Sequence, residues 1–471
     1  MYILFAYIKN QEENKMKKIF ALILALAVIL SLGACAGKTP DASEDPSKPS
    51  DSAASDDSKQ PTEETVLTFP SYMVGENVGA KYFEPAVARF NEKYAGTYKI
   101  VLEQVSEDDY FQQMSMLAQA GKLPLLICGA PGGAADFVNT VLVPQKLYYP
   151  MNDFLNSHSE IKNLCLDSSV SFSTLENGDI VGVPAVYVPT VGLFYNEDQF
   201  KPSKDIGSMT MDEFLTELGE KKFAFQTVDN AWTSMLFLTA LIANEEGGAE
   251  LLAEYDGKFL YDYNQPCIIN AVKKLQSIWA TNAASNSLGA AYADAANAFL
   301  SNNAAVICNG PWMNSEFGTD KASGWSNNFD GAKVHGAVYP GNVALANTAA
   351  YGRWIVTNNY KSEEELNCAL AFIEFLYSQE ELEAFMLIEG GQCPKMNYTE
   401  EFKTQLSTNV LLAEQSAAIN ADTTIVPNVA TIMPASVGNQ VFAADLIQLV
   451  NGTMTAEEFC NDLSVKAEET K

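Results

Sequence analysis

The chain contains very few imidazole and guanidinium side chains. Only two histidines, His158 and His335, and two arginines, Arg89 and Arg353, occur among its 471 residues. Its eight cysteines form no C-x-x-C pair and no Cys/His cluster with metal-site spacing. The chain therefore has too few histidines and clustered cysteines to favour a zinc site or a Ser-His-Asp triad. We expect neither a metal nor a cofactor.

An excess of basic charge is also missing. The chain has 29 Lys and Arg against 59 Asp and Glu, a formal net charge of −30. A strongly negative protein is repelled by nucleic acid and by anionic lipid surfaces. We therefore expect no nucleic-acid partner, and any membrane association must come from something other than basic residues.

The stretch from Met16 to Cys35 has the layout of a secretory signal peptide. Two lysines lead a short, Ala-rich apolar run, and small residues then precede Cys35. Leu32-Gly33-Ala34-Cys35 resembles the bacterial lipobox, which implies cleavage before Cys35 and a diacylglyceryl group on its sulfur. We expect residues 1–34 to be removed and Met16 to be the natural start. A plain secretory signal or a single anchoring helix is the alternative.

Residues 35–65 are predicted to be a disordered tether. After Cys35 the chain is a mixture of Pro, Ser, Asp and Lys with almost no apolar residue larger than alanine. Such a segment cannot bury enough apolar surface to offset the entropy lost on ordering. The two acyl chains of one diacylglyceryl group are enough for stable anchoring, so we expect a membrane-bound protein.

Strand and helix patterns alternate at the start of the globular body, over 66–69, 81–93, 98–104, 108–120 and 125–128. This alternation predicts an α/β fold with a parallel sheet covered on both faces. Ligands of such sheets bind in the loops after the strands, here Ser71–Glu76 and Gly129–Gly133. The second loop lacks the Lys-Ser/Thr of a P-loop, and Pro131 breaks the Rossmann spacing. We interpret it as a tight turn that presents backbone N–H groups, including that of Gly129, to a ligand.

Several motifs of the body occur in the order found in one family. Asp179–Pro184 and Gly192–Phe200 resemble the G-x-x-Y-G-x-P and L-x-Y-N-x-D-x-F signature of extracellular solute-binding proteins, the maltose-binding-like receptors of ABC importers. Phe299–Trp312 is similar to the family's block that ends in G-P-W. Further similar stretches are Met209–Phe214 (with Met211 where tryptophan is usual), Glu363–Pro394, Val426–Asn428 and Asn451–Phe459.

The resemblance implies a two-lobed, periplasmic-binding-protein-like α/β fold with hinge crossovers and a central ligand cleft. It assigns residues 66–191 to lobe 1, 192–340 to lobe 2, 341–392 to a return to lobe 1, and 393–471 to C-terminal helices on lobe 2. It also implies crossovers at Tyr195-Asn196 and near Val334–Pro340.

The function that the resemblance implies is a monomeric receptor without enzymatic activity. Such a receptor captures a small solute between its lobes and delivers it to the permease subunits of an ABC importer. Ligand stabilises the closed form because only that form contacts it from both sides.

Aromatic residues indicate a carbohydrate as the solute. The chain has 20 Tyr, 25 Phe and 5 Trp, and sugars stack their apolar ring faces on such side chains. Trp312 follows the turn Asn309–Pro311 and matches a family tryptophan that often stacks on sugar. Trp232 begins the apolar helix predicted over Trp232–Ala243, and core packing is the alternative for both tryptophans. The resemblance also places three loop tyrosines at the cleft: Tyr72, Tyr187 and Tyr351.

Two charged residues complete the predicted site. Arg353 lies between a small-residue loop and a strand, where it either pairs with a carboxylate or binds a ligand hydroxyl pair or uronate. Glu76 is a candidate of the same kind. Arg89, by contrast, is expected to be a solvated charge on a helix. Ala435-Ser436 stand near where family members often have an aromatic residue.

Other functions remain alternatives to a sugar receptor. A glycoside hydrolase needs paired carboxylates facing one cleft, but Asp108-Asp109 and Glu363–Glu365 are typical of helix starts. The solute could instead be a polyamine, a peptide or an organic acid. A surface lipoprotein without a transport role is the third alternative.

Overall fold

The computed structural model describes residues 64–75, 77, 79–107, 109–129 and 134–471. The predicted leader 1–34, the lipidation site Cys35 and the tether as far as residue 63 lie outside these residues. Glu76 and the rest of the loop after Gly129 also lie outside them. Among the described helices, none is both long and apolar enough to cross a bilayer.

Helices form most of the described structure. Their bounds are α1 Ala80–Lys93, α2 Tyr110–Gln119, α3 Ala134–Phe137, α4 Asn152–Ser157, α5 Ser159–Leu164, α6 Asp167–Ser173, α7 Met211–Leu218, α8 Trp232–Ala243, α9 Gly248–Glu254, α10 Pro266–Asn282, α11 Tyr292–Leu300, α12 Glu363–Leu376, α13 Gln379–Glu389, α14 Glu400–Thr408, α15 Val410–Ala418, α16 Phe442–Val450 and α17 Ala456–Glu468. Short 3-10 helices include Pro311–Phe317, and π-helical turns lie at Val138–Leu142 and Val437–Val441.

The strands are short. They are β1 Thr65–Ser71, β2 Tyr98–Gln104, β3 Leu126–Cys128, β4 Gly192–Asn196, β5 Phe223–Ala224, β6 Val306–Asn309, β7 Val334–Ala337, β8 Val343–Leu345, β9 Trp354–Val356 and β10 Thr424–Val426. The predicted alternation of strands and helices is confirmed, and the strand at 98–104 and the helix at 232–243 have the predicted bounds.

Lobe 1 is built around one apolar cluster from two parts of the chain. The cluster joins residues 67–186 to residues 351–402. Its strands form two pairs: β1 runs parallel to β2, whereas β3 runs antiparallel to β9. The single parallel sheet predicted from the alternation is therefore wrong for β3, whose partner β9 comes from a distant part of the chain. Helix α1 covers this core with Phe83, Val87 and Phe90, which recur at helical spacing and are buried.

Lobe 2 has a four-stranded sheet in the order β5-β6-β4-β7. Its main apolar cluster joins residues 191–345 to residues 426–467. Helix α8 is apolar on all sides and is buried along most of its length, which is typical of a helix inside a core. Strand β8 pairs in parallel with β10 and thereby attaches the C-terminal part of the chain to this lobe.

The lobe boundaries differ in two places from those implied by the resemblance. Val343–Leu345 pack in the lobe 2 cluster because β8 pairs with β10. Beyond residue 392, Tyr398 and Phe402 pack in the lobe 1 cluster. The return to lobe 1 therefore starts near Tyr351 and extends through α14.

The chain crosses between the lobes at neighbouring segments. Val188 bridges Gln392, with an N–H to carbonyl distance of 2.7 Å, and Val191 bridges Leu345. Tyr195-Asn196 lie instead within β4, because that strand pairs on both sides with β6 and β7. The crossover predicted at this dipeptide is thus a few residues earlier, at Val188–Val191. The crossover predicted near Val334–Pro340 is later, after Leu345, because Val334–Ala337 form β7 of the lobe 2 sheet.

Candidate functional site

The two lobes touch where α13 ends. Lys81 of lobe 1 pairs with the Asp320 carboxylate at 3.0 Å and donates to the Ser315 carbonyl of lobe 2 at 3.3 Å. Gly390, with φ of 70°, is so close to lobe 2 that an added Cβ would lie 2.4 Å from Cβ of Pro311. The C-terminal end of α13 therefore meets the 3-10 helix Pro311–Phe317.

Arg353 lies in the lobe 1 wall beside this contact. Its guanidinium carbon is 4.8 Å from the ring centroid of Phe385, and its Nη2 is 3.1 Å from Sδ of Met73. The Tyr187 ring packs edge-on against the same Phe385 at 4.8 Å. Among the described residues, Nε of Arg353 has no hydrogen-bond partner. The structure thus brings Arg353 and Tyr187 together around one side chain of α13.

Glu389, the last residue of α13, is the carboxylate whose negative charge helps to raise the pKa of Arg353. Its residue surface is only 5% exposed. Burial raises the pKa of Glu389, and the positive charges of Arg353 and Lys81 oppose that rise. Burial acts to lower the pKa of Arg353, but nearby groups, Tyr72 first and Glu389 among them, raise it above its ordinary value. Sequence reasoning missed Glu389, which looks like one more charge on a Glu-rich helix.

Three side chains of the walls are only partly buried. Tyr187, Tyr292 and Arg353 are each partly exposed. Burial is nevertheless the leading influence on the pKa of each, raising that of both tyrosines. These three groups are therefore largely shielded from water and still partly accessible to it.

The lobe 2 wall is aromatic. The ring centroids of Trp232 and Trp312 are 6.3 Å apart, at an interplanar angle of 46°. The hydroxyl of Tyr292 accepts from Nδ2 of Asn309 at 2.9 Å and is also hydrogen-bonded to Trp312. A Cβ at Gly310 would lie 2.2 Å from the Trp312 ring, so a residue without a side chain is needed there. No motif singles out Tyr292, which comes to the site because α11 packs beside β6.

Glu107 links the two walls electrostatically. Its negative charge contributes to raising the pKa of Tyr72, in lobe 1, and the pKa of Tyr292, in lobe 2. In both cases burial is the larger cause. Tyr72, however, is only 5% exposed and packs in the lobe 1 core, whereas Tyr292 is partly exposed.

On the lobe 2 side, the side-chain oxygen of Asn314 is a hydrogen-bond acceptor without a described donor. Nδ2 of Asn314 donates to Oε1 of Gln415 at 2.7 Å, whereas the buried Oδ1 has no partner among the described residues. The Asn314 amide lies next to the end of α13, because an added Cβ at Gly390 would be 3.3 Å from Nδ2. The sequence carried no signal for this residue.

Two other predicted site residues have partners within lobe 1. Tyr351 donates its hydroxyl to Oδ1 of Asn139 at 2.9 Å, and burial raises its pKa to about 12. The N–H of Gly129 donates to the Arg353 carbonyl at 2.7 Å, and a Cβ there would be 2.5 Å from the Gly352 carbonyl oxygen. Gly129 thus fixes the backbone at Arg353. Its N–H, predicted to face a ligand, is used in a hydrogen bond within lobe 1.

A crevice on the hinge side shares Pro311 and Gly390 with the lobe contact. Its lining includes Thr190, Pro311, Met386, Gly391 and Gln415. Of the eight ligand-site residues predicted from the sequence, the seven that the structure describes do not line it. Across the described residues, no group of three or more His, Cys, Asp and Glu is arranged to hold a metal ion.

A family model described as "Bacterial extracellular solute-binding protein" matches residues 75–383. A search of curated proteins finds no match.

Solved structures share the fold. A chitin oligosaccharide binding protein is 19% identical with a TM-score of 0.66, covering 86% of this chain and 98% of its own. A Streptococcus pneumoniae solute-binding protein in complex with the blood group A-trisaccharide is 19% identical with a TM-score of 0.64, covering 86% and 100%. The maltotriose-bound maltose/maltodextrin-binding domain from Bdellovibrio bacteriovorus is 15% identical with a TM-score of 0.60, covering 86% and 99%. At these identities the likeness establishes the two-lobed fold.

Proposed function

The chain belongs to the bacterial extracellular solute-binding protein family, and from that premise we propose that it captures a carbohydrate between its lobes for an ABC importer. Three proteins with the same fold are named for sugars: a chitin oligosaccharide, a blood group trisaccharide and maltotriose. Membership places the protein on the extracytoplasmic side of the membrane. The family is one of binding proteins, and we propose no catalytic role.

The observation that carries the proposal is the difference between the two walls. The lobe 2 wall offers the rings of Trp232, Trp312 and Tyr292, whereas the lobe 1 wall offers Arg353 and Glu389. A sugar ring has apolar faces that stack on aromatics and a hydroxyl edge that needs polar partners. A solute that fills the cleft would use both walls at once and so favour the closed form.

The proposed receptor stays at the membrane through lipid on Cys35. The lipobox-like sequence supports this, and the Ser- and Pro-rich stretch after it would let the lobes move freely. Replacing Cys35 with serine is expected to release the protein from cells without altering sugar affinity. Retention of the C35S protein at the membrane would contradict the anchor.

A thermal-shift panel tests the proposed ligand class. Maltotriose, chitotriose, xylotriose and the blood group A trisaccharide are added in turn, with a polyamine, a tripeptide and citrate as non-sugar solutes. At least one sugar is expected to raise Tm, because a ligand that binds only the folded protein stabilises it. A response to non-sugar solutes alone would contradict the carbohydrate assignment, and no response at all would contradict the receptor.

A matched pair of tryptophan variants locates the site. Trp312→Ala is expected to abolish the sugar-induced rise in Tm. Trp279 is the control because it stacks on Phe225 at 4.9 Å within the lobe 2 core. Trp279→Phe is expected to lower Tm without sugar and to keep the sugar-induced increment. Equal loss of the increment in both variants would place the ligand elsewhere.

A further inference from the structure

Helix α13 has a buried carboxylate at each end, and each lies near one of the two arginines. At the first turn, Glu381 accepts from Nε and Nη2 of Arg89, both at 2.7 Å. Tyr82 donates its hydroxyl to the same carboxylate at 3.2 Å. The hydrogen-bonding capacity of Glu381 is therefore well used inside the protein.

At the C-terminal end of α13, the polar side chains lack such hydrogen-bond partners among the described residues. No described residue hydrogen-bonds the carboxyl group of Glu389, and no described carboxylate forms an ion pair with Arg353. Nε of Arg353 has no partner there, and Nη2 meets only the weak acceptor Sδ of Met73. Burying such groups without partners costs free energy, so this arrangement is expected where a ligand supplies the partners.

The lobe across the cleft contributes an unfilled acceptor of its own. Asn314 Oδ1 is buried without a described partner, and the Asn314 amide lies beside Gly390, the residue after Glu389. The lobe contact thus gathers one strong donor, Arg353, with two acceptors, Glu389 and Asn314.

This donor and acceptor set matches hydroxyl groups better than carboxylates. A hydroxyl accepts one hydrogen bond and donates another, so neighbouring hydroxyls could accept from Arg353 and donate to Glu389 or Asn314. A ligand carboxylate donates nothing and would face the negative charge of Glu389. Because Glu389 already offsets the charge of Arg353, the site offers little net attraction to a second anion.

Resting on the proposed function, we propose that Arg353, Glu389 and Asn314 bind the hydroxyl edge of a neutral sugar and reject the corresponding sugar acid. Arg353 supplies the donor, Glu389 the acceptor that excludes anions, and Asn314 the acceptor from the opposite lobe. The uronate alternative left open for Arg353 by the sequence is thereby disfavoured.

Matched sugar pairs test this selectivity on the wild-type protein. Each pair differs only by oxidation at C6: glucose and glucuronate, galactose and galacturonate, galactotriose and trigalacturonate, mannotriose and trimannuronate. Whichever neutral member raises Tm at pH 7, its acid is expected to bind at least about tenfold more weakly, measured by calorimetry. An acid that binds as tightly as its neutral partner would overturn the proposal.

The variant Glu389→Gln separates charge from hydrogen bonding. It keeps an acceptor and removes the negative charge, so the affinity ratio of neutral sugar to acid is expected to fall about tenfold. An unchanged ratio would overturn the role of Glu389. Glu381→Gln, at the other end of α13, is the control and should leave the ratio unchanged.

The outcomes distinguish this inference from the function beneath it. Binding of acids in preference to neutral sugars defeats the selectivity and leaves a carbohydrate receptor. Binding of neither kind, in this set or in the wider sugar panel, defeats the proposed function and the inference with it. The wild-type comparison needs no variant, so poor folding of Glu389→Gln does not prevent a decision.

Discussion

The two ends of α13 show how one kind of charge pair serves two purposes. At the N-terminal end, Arg89 and Glu381 form a bidentate pair at 2.7 Å, and Tyr82 adds a third hydrogen bond. At the C-terminal end, Arg353 and Glu389 interact only at longer range, and described residues leave both with unused capacity. The first end stabilises the fold, and the second is suited to bind a ligand.

The difference follows from the position of α13 between the lobes. Its first turn packs on α1 inside lobe 1, where the Tyr82 hydroxyl donates to Glu381 at 3.2 Å. Its last turn reaches the lobe boundary at Gly390. Polar groups inside one lobe find protein partners, whereas those at the boundary are completed by whatever enters the cleft.

The largest expected effect on stability comes from removing the Arg89–Glu381 pair at the N-terminal end of α13. Arg89→Gln leaves the buried Glu381 without its cation, and we expect the free energy of unfolding to fall by about 2 kcal/mol. This is below the cost for a fully buried pair because the Arg89 side chain is 42% exposed. Urea denaturation measures it. Arg353→Gln should cost less, and an equal or larger loss for Arg353→Gln would contradict the comparison.

Another buried carboxylate, that of Asp445, forms no ion pair with a described residue and gives the next effect. Burial, followed by a hydrogen bond and repulsion from Asp462, raises the pKa of Asp445 to about 7 from 3.8. The folded protein therefore holds a proton that the unfolded chain releases, so stability is expected to fall as pH rises from about 4 to about 7. Asp445→Asn removes this dependence.

Melting curves at two pH values check the Asp445 prediction. The variant is expected to gain about 2 °C in Tm over the wild type at pH 8, and less at pH 5. A gain that is larger at pH 5 than at pH 8 would contradict the assigned shift. Gln448, which donates to Asp445 at 3.2 Å, is the neighbour retained in both proteins.

The smallest effect is expected at the exposed cross-lobe pair. Lys81 and Asp320 have side-chain exposures of 41% and 63%, so solvent screens their attraction. Lys81→Ala should change Tm by less than about 1 °C, and the change should vanish in 1 M salt. A large, salt-independent loss would show that this pair, rather than a ligand, holds the lobes together.

The fold class was predictable from the sequence because it depends on local patterns. Apolar residues at strand and helix spacing, with the ordered motifs from Asp179 to Phe459, indicated a two-lobed α/β protein. The helix 232–243 was bounded correctly because its apolar run is continuous. The lobe boundaries were less accurate, because the pairing of β8 with β10 joins residues about eighty positions apart.

The candidate site was only partly predictable. Trp232 and Trp312 were singled out separately, and the structure brings them together. Arg89 was expected to be solvated, but its partner Glu381 is 292 positions away in the sequence. Glu389, Asn314 and Tyr292 carry no local signal, since only tertiary contacts give them their surroundings. Sequence patterns indicate which residues can bind a ligand, but the partners they lack are visible only in the fold.

Calorimetric titration of one sugar into three proteins tests the central claim most directly. The sugar is the neutral one that raises Tm of the wild type most, and the proteins are wild type, Arg353→Gln and Arg89→Gln. We predict that Kd rises at least about thirtyfold in Arg353→Gln, because a charged hydrogen bond to the ligand is lost. In Arg89→Gln we predict a change below about threefold. Similar affinities in all three proteins, or a greater loss in Arg89→Gln, would contradict a ligand site at the C-terminal end of α13.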